Sequence, residues 1–186
     1  MKTKWLDQKI EYDGTQLRSL FAYLDHQVLG DSVVSWGGAC EVTFDHMIDG
    51  EDLLAGSKIC GSEMLHFIFE IFDQSLAVGV FTQRLFASLV KDLIEEKTQV
   101  RLTRQGDDLY WEGKKLSISI ACRSPNSVMV HFAINIKNAG TPVPTCALED
   151  WGLAGNAKEL SLELMRRYQQ EYQSIKEATW KVKATH

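Results

Sequence analysis

The chain has 186 residues, 45% of them apolar and 24% charged, with a formal net charge of -5. That length suffices for one domain with a full core, and the acidic balance excludes a chain-wide nucleic-acid footprint. No apolar run is long enough to span a bilayer, and residues 1–9 lack the apolar stretch of a secretory signal, which predicts a cytoplasmic protein away from membranes. Cys40, Cys60, Cys122 and Cys146 form no CxxC pair, so reduced thiols are expected. Neither they nor the five histidines show metal-site spacing, and no metal is expected.

In chain order, residues 4–12 read as a strand broken by Asp13, Gly14, Thr15 and Gln16, with Thr15 available as a helix cap. Leu17, Leu20, Phe21, Leu24 and Val28 recur at helical spacing, which predicts an amphipathic helix over 16–28 stopped by Gly30. Residues 32–35 read as a strand running into Trp36, Gly37 and Gly38, and extended structure resumes over 40–44. Three glycines make 45–62 loop-rich. Leu65, Phe67, Phe69 and Ile71 alternate along a strand over 63–72. A helix is predicted over 76–96 and a strand over 100–104.

Leu109 to Trp111 and Ser117 to Ile120 then read as two strands joined by a turn at Glu112 and Gly113. Residues 127–136 form a further buried strand, 140–144 a loop and 157–177 a final helix. Long helices mixed with hairpin-linked strands predict an α+β domain, 1–186 as one unit.

Lys115 opens a buried strand, a costly place for an ammonium unless an anion meets it. It is either aimed at a carboxylate, phosphate or acyl oxygen, or it is a charged turn residue in a solvated hairpin. Asp107 and Asp108 are candidates either to hold it or to bind a cation, with only one of two adjacent strand residues able to point at the site. Arg18 is either an anion clamp or part of a solvated helix face. Gly37 and Gly38 either admit a ligand to the backbone or mark a bulge. His66 and Glu70 share one strand face, lining a pocket or facing solvent.

The order of these elements resembles the catalytic domain of the biotin and lipoate protein ligases and the octanoyl transferases, over residues 10–150. Asp13-Gly14-Thr15-Gln16 is similar to the Asp-Ser-Thr-Asn that opens the first ligase helix. Gly106-Asp107-Asp108-Leu109-Tyr110, with Gly113, Lys115 and Leu116, resembles the segment around the ligase lysine. Val130-His131-Phe132-Ala133-Ile134-Asn135-Ile136 resembles the transferase Tyr-His-Gly-Leu-Ala-Leu-Asn-Val strand, and Val143-Pro144-Thr145-Cys146 its Pro-Cys-Gly loop. The whole chain looks most like an uncharacterised family, a domain of unknown function, sharing that fold.

The resemblance implies a mixed, mainly antiparallel sheet with helices packed on it, a class II synthetase-like α+β architecture, followed by a C-terminal helix and tail over 151–186. It implies acyl transfer, with Lys115 stabilising charge, Cys146 as nucleophile and His131 as proton carrier. Arg18, Gly37, Gly38, Asp108 and Asn135 would bind substrate, a small molecule or an acyl carrier. ATP-dependent ligation and non-catalytic binding are the alternatives. The ligase Gly-Arg-Gly-Arg-Arg-Gly loop is absent, Phe132 and Ala147 replace transferase glycines, and Thr145 separates Pro144 from Cys146. No cofactor is specified, and a homodimer contact through the C-terminal tail is one expectation.

Overall fold

A computed structural model of the chain describes residues 1–56, 58–139, 141 and 143–183. Its centre is a five-stranded sheet of β1 (Lys2–Trp5), β2 (Ser32–Val42), β3 (Ile59–Phe72), β8 (Ser127–Asn135) and β7 (Ser117–Arg123), in that spatial order. The β1–β2 pair is parallel and the other three pairs are antiparallel. A smaller sheet holds β4 (Thr103–Gln105), β5 (Asp108–Trp111) and β6 (Lys114–Lys115). The expected α+β class and mainly antiparallel sheet are both present.

Alternation along β3 sends Leu65, Phe67 and Phe69 to one face, where α3 (Leu76–Thr98) and α4 (Ala157–Trp180) cover the sheet. Phe86 packs edge-on to Phe67, Phe69 and Phe132, with centroids 4.8–5.2 Å apart. Each fully buried side chain of this size contributes about 1.5–3 kcal/mol. Tyr168 of α4 donates its hydroxyl to Thr82 of α3 at 3.0 Å, fixing the two helices together. The final helix therefore seals the core, while Trp180 at its end is exposed.

The opposite face carries Met64, Ile68, Met129 and Ala133, covered by the N-terminal segment through Leu6, Tyr12, Phe21 and Ala22. Here the periodicity misleads. The helix predicted over 16–28 shrinks to α1 (Phe21–Leu24), preceded by Leu20 at φ 64°. The Leu20 N–H is taken by the buried carboxylate of Glu70 at 2.9 Å, a tertiary bond that replaces an intrahelical one. Thr15 does not cap a helix: its N–H and hydroxyl both donate to Asp13.

Three other boundaries differ. The first strand ends at Trp5; beyond it the Leu6 and Ile10 amides still donate to the Ser35 and Gly37 carbonyls of β2, and an isolated parallel bridge joins Tyr12 to Cys40. The region read as loop over 45–62 contains α2 (Gly50–Ala55), capped by Asp49, whose carboxylate accepts from the Glu51 and Asp52 amides. The strand expected over 100–104 begins only at Thr103, because the Leu102 amide donates to Glu95 at the end of α3. Gly140 and Pro142 of the expected 140–144 loop lie outside the described residues.

The two strands predicted over 32–44 are one strand, with a bulge between Gly38 and Cys40. The bulge answers a crossing. Ile10 lies directly on Gly38, and a Cβ there would stand 1.8 Å from the Ile10 carbonyl oxygen. At Gly37 a Cβ meets nothing within 4 Å. Gly38→Ala is expected to destabilise the fold by about 3 kcal/mol or more, measured as a lower urea midpoint. Gly37→Ala is expected to stay within about 0.5 kcal/mol of the parent.

Candidate functional site

The hairpin at Glu112 and Gly113 has φ values of 50° and 78°, the paired left-handed conformations of a type I′ turn. It places Lys114 and Lys115 beside Trp111 and Tyr110, so the strand partner of β5 is β6 rather than the 117–120 strand expected from sequence. Residues 144–146 grip β6 from its other side. Lys115 N–H donates to the Pro144 carbonyl, and Cys146 N–H donates to the Lys115 carbonyl. The Asn135 side-chain amide donates to the carbonyls of both Lys115 and Cys146. Asn135 thus positions the lysine strand and does not line the cleft described next.

Lys115 reaches the wall of a cleft of about 270 Å³. The anion that meets it is Asp108, with Nζ to Oδ2 at 2.9 Å and both side chains partly exposed. Asp107 also lines the cleft, because it sits in the turn before β5 and escapes strand alternation. It accepts from Gln83 and Ser119 and pairs with Arg84 at 3.4 Å. Asp49, Glu51 and Asp52, from the cap and first turn of α2, complete an acidic wall. Burial, with Asp49 alongside, raises the Asp52 carboxyl above its usual range. The opposite surface is apolar, from Leu17, Val42, Ile59, Ile118 and Ile120.

The inner surface is aromatic and polar. His131 is 2% exposed and Tyr12 3%, and both line the cleft. Their rings stack at 3.6 Å and 11°. Beneath them His66 is fully buried, on the strand beside His131 and diagonal to it. The hydrogen bonds fix the tautomers. The Gly38 carbonyl can only accept, so His66 Nε2 carries a proton and donates to it at 3.2 Å. Burial pushes the His66 imidazole down to about 4, so the ring is neutral and Nδ1 is an acceptor. His131 Nε2, 3.1 Å away, therefore donates to it. Burial and then His66 hold His131 well below its ordinary value. Its Nδ1 is left as a bare acceptor.

The structure separates the remaining expected residues from this cleft. Cys146 is 0% exposed, belongs to the core on the helical face, and directs its thiol to the Lys114 carbonyl at 3.4 Å. Burial pushes that thiol up to about 11, so a ready thiolate is not formed there. Arg18 donates one guanidinium nitrogen to both carboxylate oxygens of Asp25 and lies over Phe21, outside the cleft lining. Gly38 admits the Ile10 crossing, Gly37 accepts the Ile10 amide through its backbone carbonyl, and the Trp36 indole N–H donates to the Ile10 carbonyl at 3.0 Å. Lys115, Asp108 and His131 are brought together; Cys146, Arg18, Gly37, Gly38 and Asn135 are not. Sequence reasoning missed Tyr12 and the acids of α2. The one available signal was Asp49 three residues before Asp52, an N-cap spacing inside a glycine-rich stretch.

This architecture is that of the biotin and lipoate protein ligase catalytic domains. The structure superposes on biotin protein ligase from Aquifex aeolicus in complex with biotin and ATP with a TM-score of 0.63 at 18% identity, covering 95% of this chain and 72% of the ligase. A protein of T. acidophilum named as a lipoate protein ligase, with bound lipoic acid, gives 0.54 at 10% identity over 91% of this chain and 86% of that one. Residues 1–183 match the family described as a domain of unknown function, DUF366, and the chain belongs to that family. An uncharacterized protein of Methanocaldococcus jannaschii is 32% identical over 181 residues, covering 94% of this chain and 81% of the relative. A protein of unknown function from Pyrococcus horikoshi matches with a TM-score of 0.93 at 32% identity, covering 100% and 99% of the two chains.

Two measurements follow from the buried groups. Iodoacetamide at pH 8 is expected to leave Cys146 unmodified in the native protein and to label it after denaturation, read by peptide mass mapping. The His66 and His131 pKa values are depressed on folding, so the unfolded chain binds more protons below pH 6.5. Stability should therefore fall as pH drops from about 6.5 towards 4, with His66 alone accounting for about 3 kcal/mol across that window. His66→Gln, which keeps a donor for Gly38, should remove its part of the slope in pH-dependent urea unfolding.

Proposed function

We propose that this protein binds a small carboxylic acid in the Lys115 cleft and activates its acyl group at the expense of ATP, without an acyl-enzyme on Cys146. The observation that carries the reading is the position of Lys115. Its ammonium stands at the cleft wall, held by the single carboxylate of Asp108 and still partly open to a ligand. An ammonium fixed in advance beside a carboxyl group stabilises negative charge as it develops on the acyl oxygen, an effect that commonly amounts to a hundredfold or more in rate.

The thiol route loses its support because Cys146 is packed in the helical core and held protonated. With no cysteine among the described residues that line the cleft, activation of the acid falls to an outside reagent. A carboxylate oxygen would attack the α-phosphorus of ATP, the α–β phosphoanhydride bond would break, and pyrophosphate would leave. The acyl group would then pass from the adenylate to an acceptor amine or thiol, releasing AMP. The likeness in fold to a ligase solved with biotin and ATP is consistent with this reading.

A second reading, binding without turnover, is favoured by the acidic wall. Asp49, Glu51, Asp52 and Asp107 present like charge to a triphosphate.

Pyrophosphate release measured with ATP and a panel of carboxylic acids, including biotin, lipoic acid and octanoic acid, separates the two. Activation predicts release with at least one acid, falling about a hundredfold or more in Lys115→Ala with little change in thermal midpoint. Thermal stabilisation by an acid with no release supports binding alone. Unchanged behaviour of Lys115→Ala in both assays would remove Lys115 from the site.

A further inference from the structure

Among the described residues, the buried side-chain polar atoms without a hydrogen-bond partner are His26 Nε2, Ser32 Oγ and Trp151 Nε1. Buried polar groups are almost always paired, and an unpaired one destabilises the state that buries it. The first two of these atoms belong to one place. His26 follows α1 closely in the chain. Ser32 stands opposite Glu70 in the β2–β3 ladder, and the Glu70 carboxylate holds the Leu20 amide at the start of α1.

The same segment is strained at both ends. Leu20 and Gln27 have φ values of 64° and 59°, the left-handed region that a residue with a Cβ adopts only at a cost. Within α1, Phe21 and Ala22 are buried, while Leu24 is 66% exposed. The segment is tied to the sheet by the Leu20 amide on Glu70, by the Lys4 ammonium on the His26 carbonyl at 2.7 Å, and by Phe21 against Trp36, with centroids 5.8 Å apart. The Arg18–Asp25 pair lies within the covering stretch and is largely solvated, so it adds little. Strain and unpaired atoms oppose these ties. Both are relieved when the segment lifts, because the backbone relaxes and water reaches His26 and Ser32.

We propose that residues 20–27 form a flap that lifts from the sheet when His26 takes up a proton. Protonation puts a hydrogen on both ring nitrogens. In the closed flap Nε2 then becomes part of a charged donor, shut off from water and without an acceptor. The charged groups that face the ring are Asp25 from its own segment, Lys4 from β1 and Arg18 from the stretch before α1. Asp25 favours the imidazolium, but both its oxygens accept from Arg18. The two cations oppose it. Glu70 on β3 is occupied by Leu20 and Ser127. Burial, ahead of these charges, lowers the His26 imidazole from its ordinary 6.5. The lifted flap restores the ordinary value, so it binds more protons, and its population grows as pH falls below 6.5. Phe21 carries the change inward. It packs on Trp36, Trp36 packs on His66 at 5.4 Å, and Leu17, three residues before Leu20, lines the Lys115 cleft. The flap therefore couples acid to the cleft wall, whatever the cleft binds.

The test is amide hydrogen exchange of the full chain at pH 7.5 and 5.5, read by peptide mass spectrometry and corrected for intrinsic exchange rates. Residues 20–28 are expected to be less protected than β3 and β8 at both pH values. Their protection should fall about twofold to tenfold at pH 5.5, the ceiling being set by the ordinary histidine value. His26→Phe keeps an aromatic ring against Phe21 and removes the titration. In this variant the pH dependence of residues 20–28 should vanish, while any pH dependence of β3 and β8, which carry His66 and His131, persists. His26→Gln, equally unable to titrate, gives the same readout should the phenylalanine variant not fold. Protection over 20–28 equal to that of β3 would show that the segment opens only with the whole domain, and would overturn the flap. An unchanged segment at pH 5.5 would mean that Asp25 leaves Arg18 to pair the ring in place, and overturns it too. So does a pH dependence that survives both substitutions.

Discussion

The passage of the Ile10 backbone over Gly38 is the contact on which the cleft depends. Because position 38 has no Cβ, the N-terminal segment lies flat against β2, close enough for the Trp36 indole to bond the Ile10 carbonyl and for Tyr12 to bridge to Cys40. That approach carries the Tyr12 ring onto His131 and closes the inner end of the cleft. The same residue uses its carbonyl to fix the tautomer of His66, and through it that of His131. Gly38 therefore sets both the shape of the inner surface and the hydrogen-bonding character of what faces the cleft.

The two faces of the sheet are covered in different ways. On the helical face, α3 and α4 press phenylalanines and aliphatic residues into a continuous core, and Cys146 belongs to it. On the other face no long helix packs among the described residues. Irregular backbone covers the sheet instead, tied down by single bonds from buried polar groups such as Glu70 to Leu20. Irregular cover leaves room for a cleft where regular helix packing would fill it. It also demands internal hydrogen-bond partners, which explains why His66, Glu70 and Ser127 are buried there.

The charge distribution within the cleft is uneven. One ammonium, already paired, faces an acidic wall assembled from α2 and the turn before β5. Negative charge entering the cleft would meet attraction only near Lys115 and repulsion from the carboxylates elsewhere. The transferase-like order of Lys115, His131 and Cys146 survives in the chain, but only the first two share the cleft. Asn135, four residues after His131, acts on the backbone of Lys115 and Cys146 and so on their spacing.

The sequence by itself determined the α+β class, the long helices, the alternating central strands and the Lys115 turn. Each of these follows from local periodicity or from a glycine with a defined backbone role. It also pointed to Lys115 as a cation needing a partner, since the cost of burying an ammonium is visible from composition alone. What only the tertiary structure decided was which polar residues meet. The pairing of His66 with His131, 65 positions apart, depends on the register of β3 against β8. Loss of the predicted 16–28 helix came from Glu70 capturing the Leu20 amide, a long-range bond that no periodicity encodes. The fate of Cys146 turned on which face of the sheet its segment joins, and nearness to Pro144 in sequence carries no information about that.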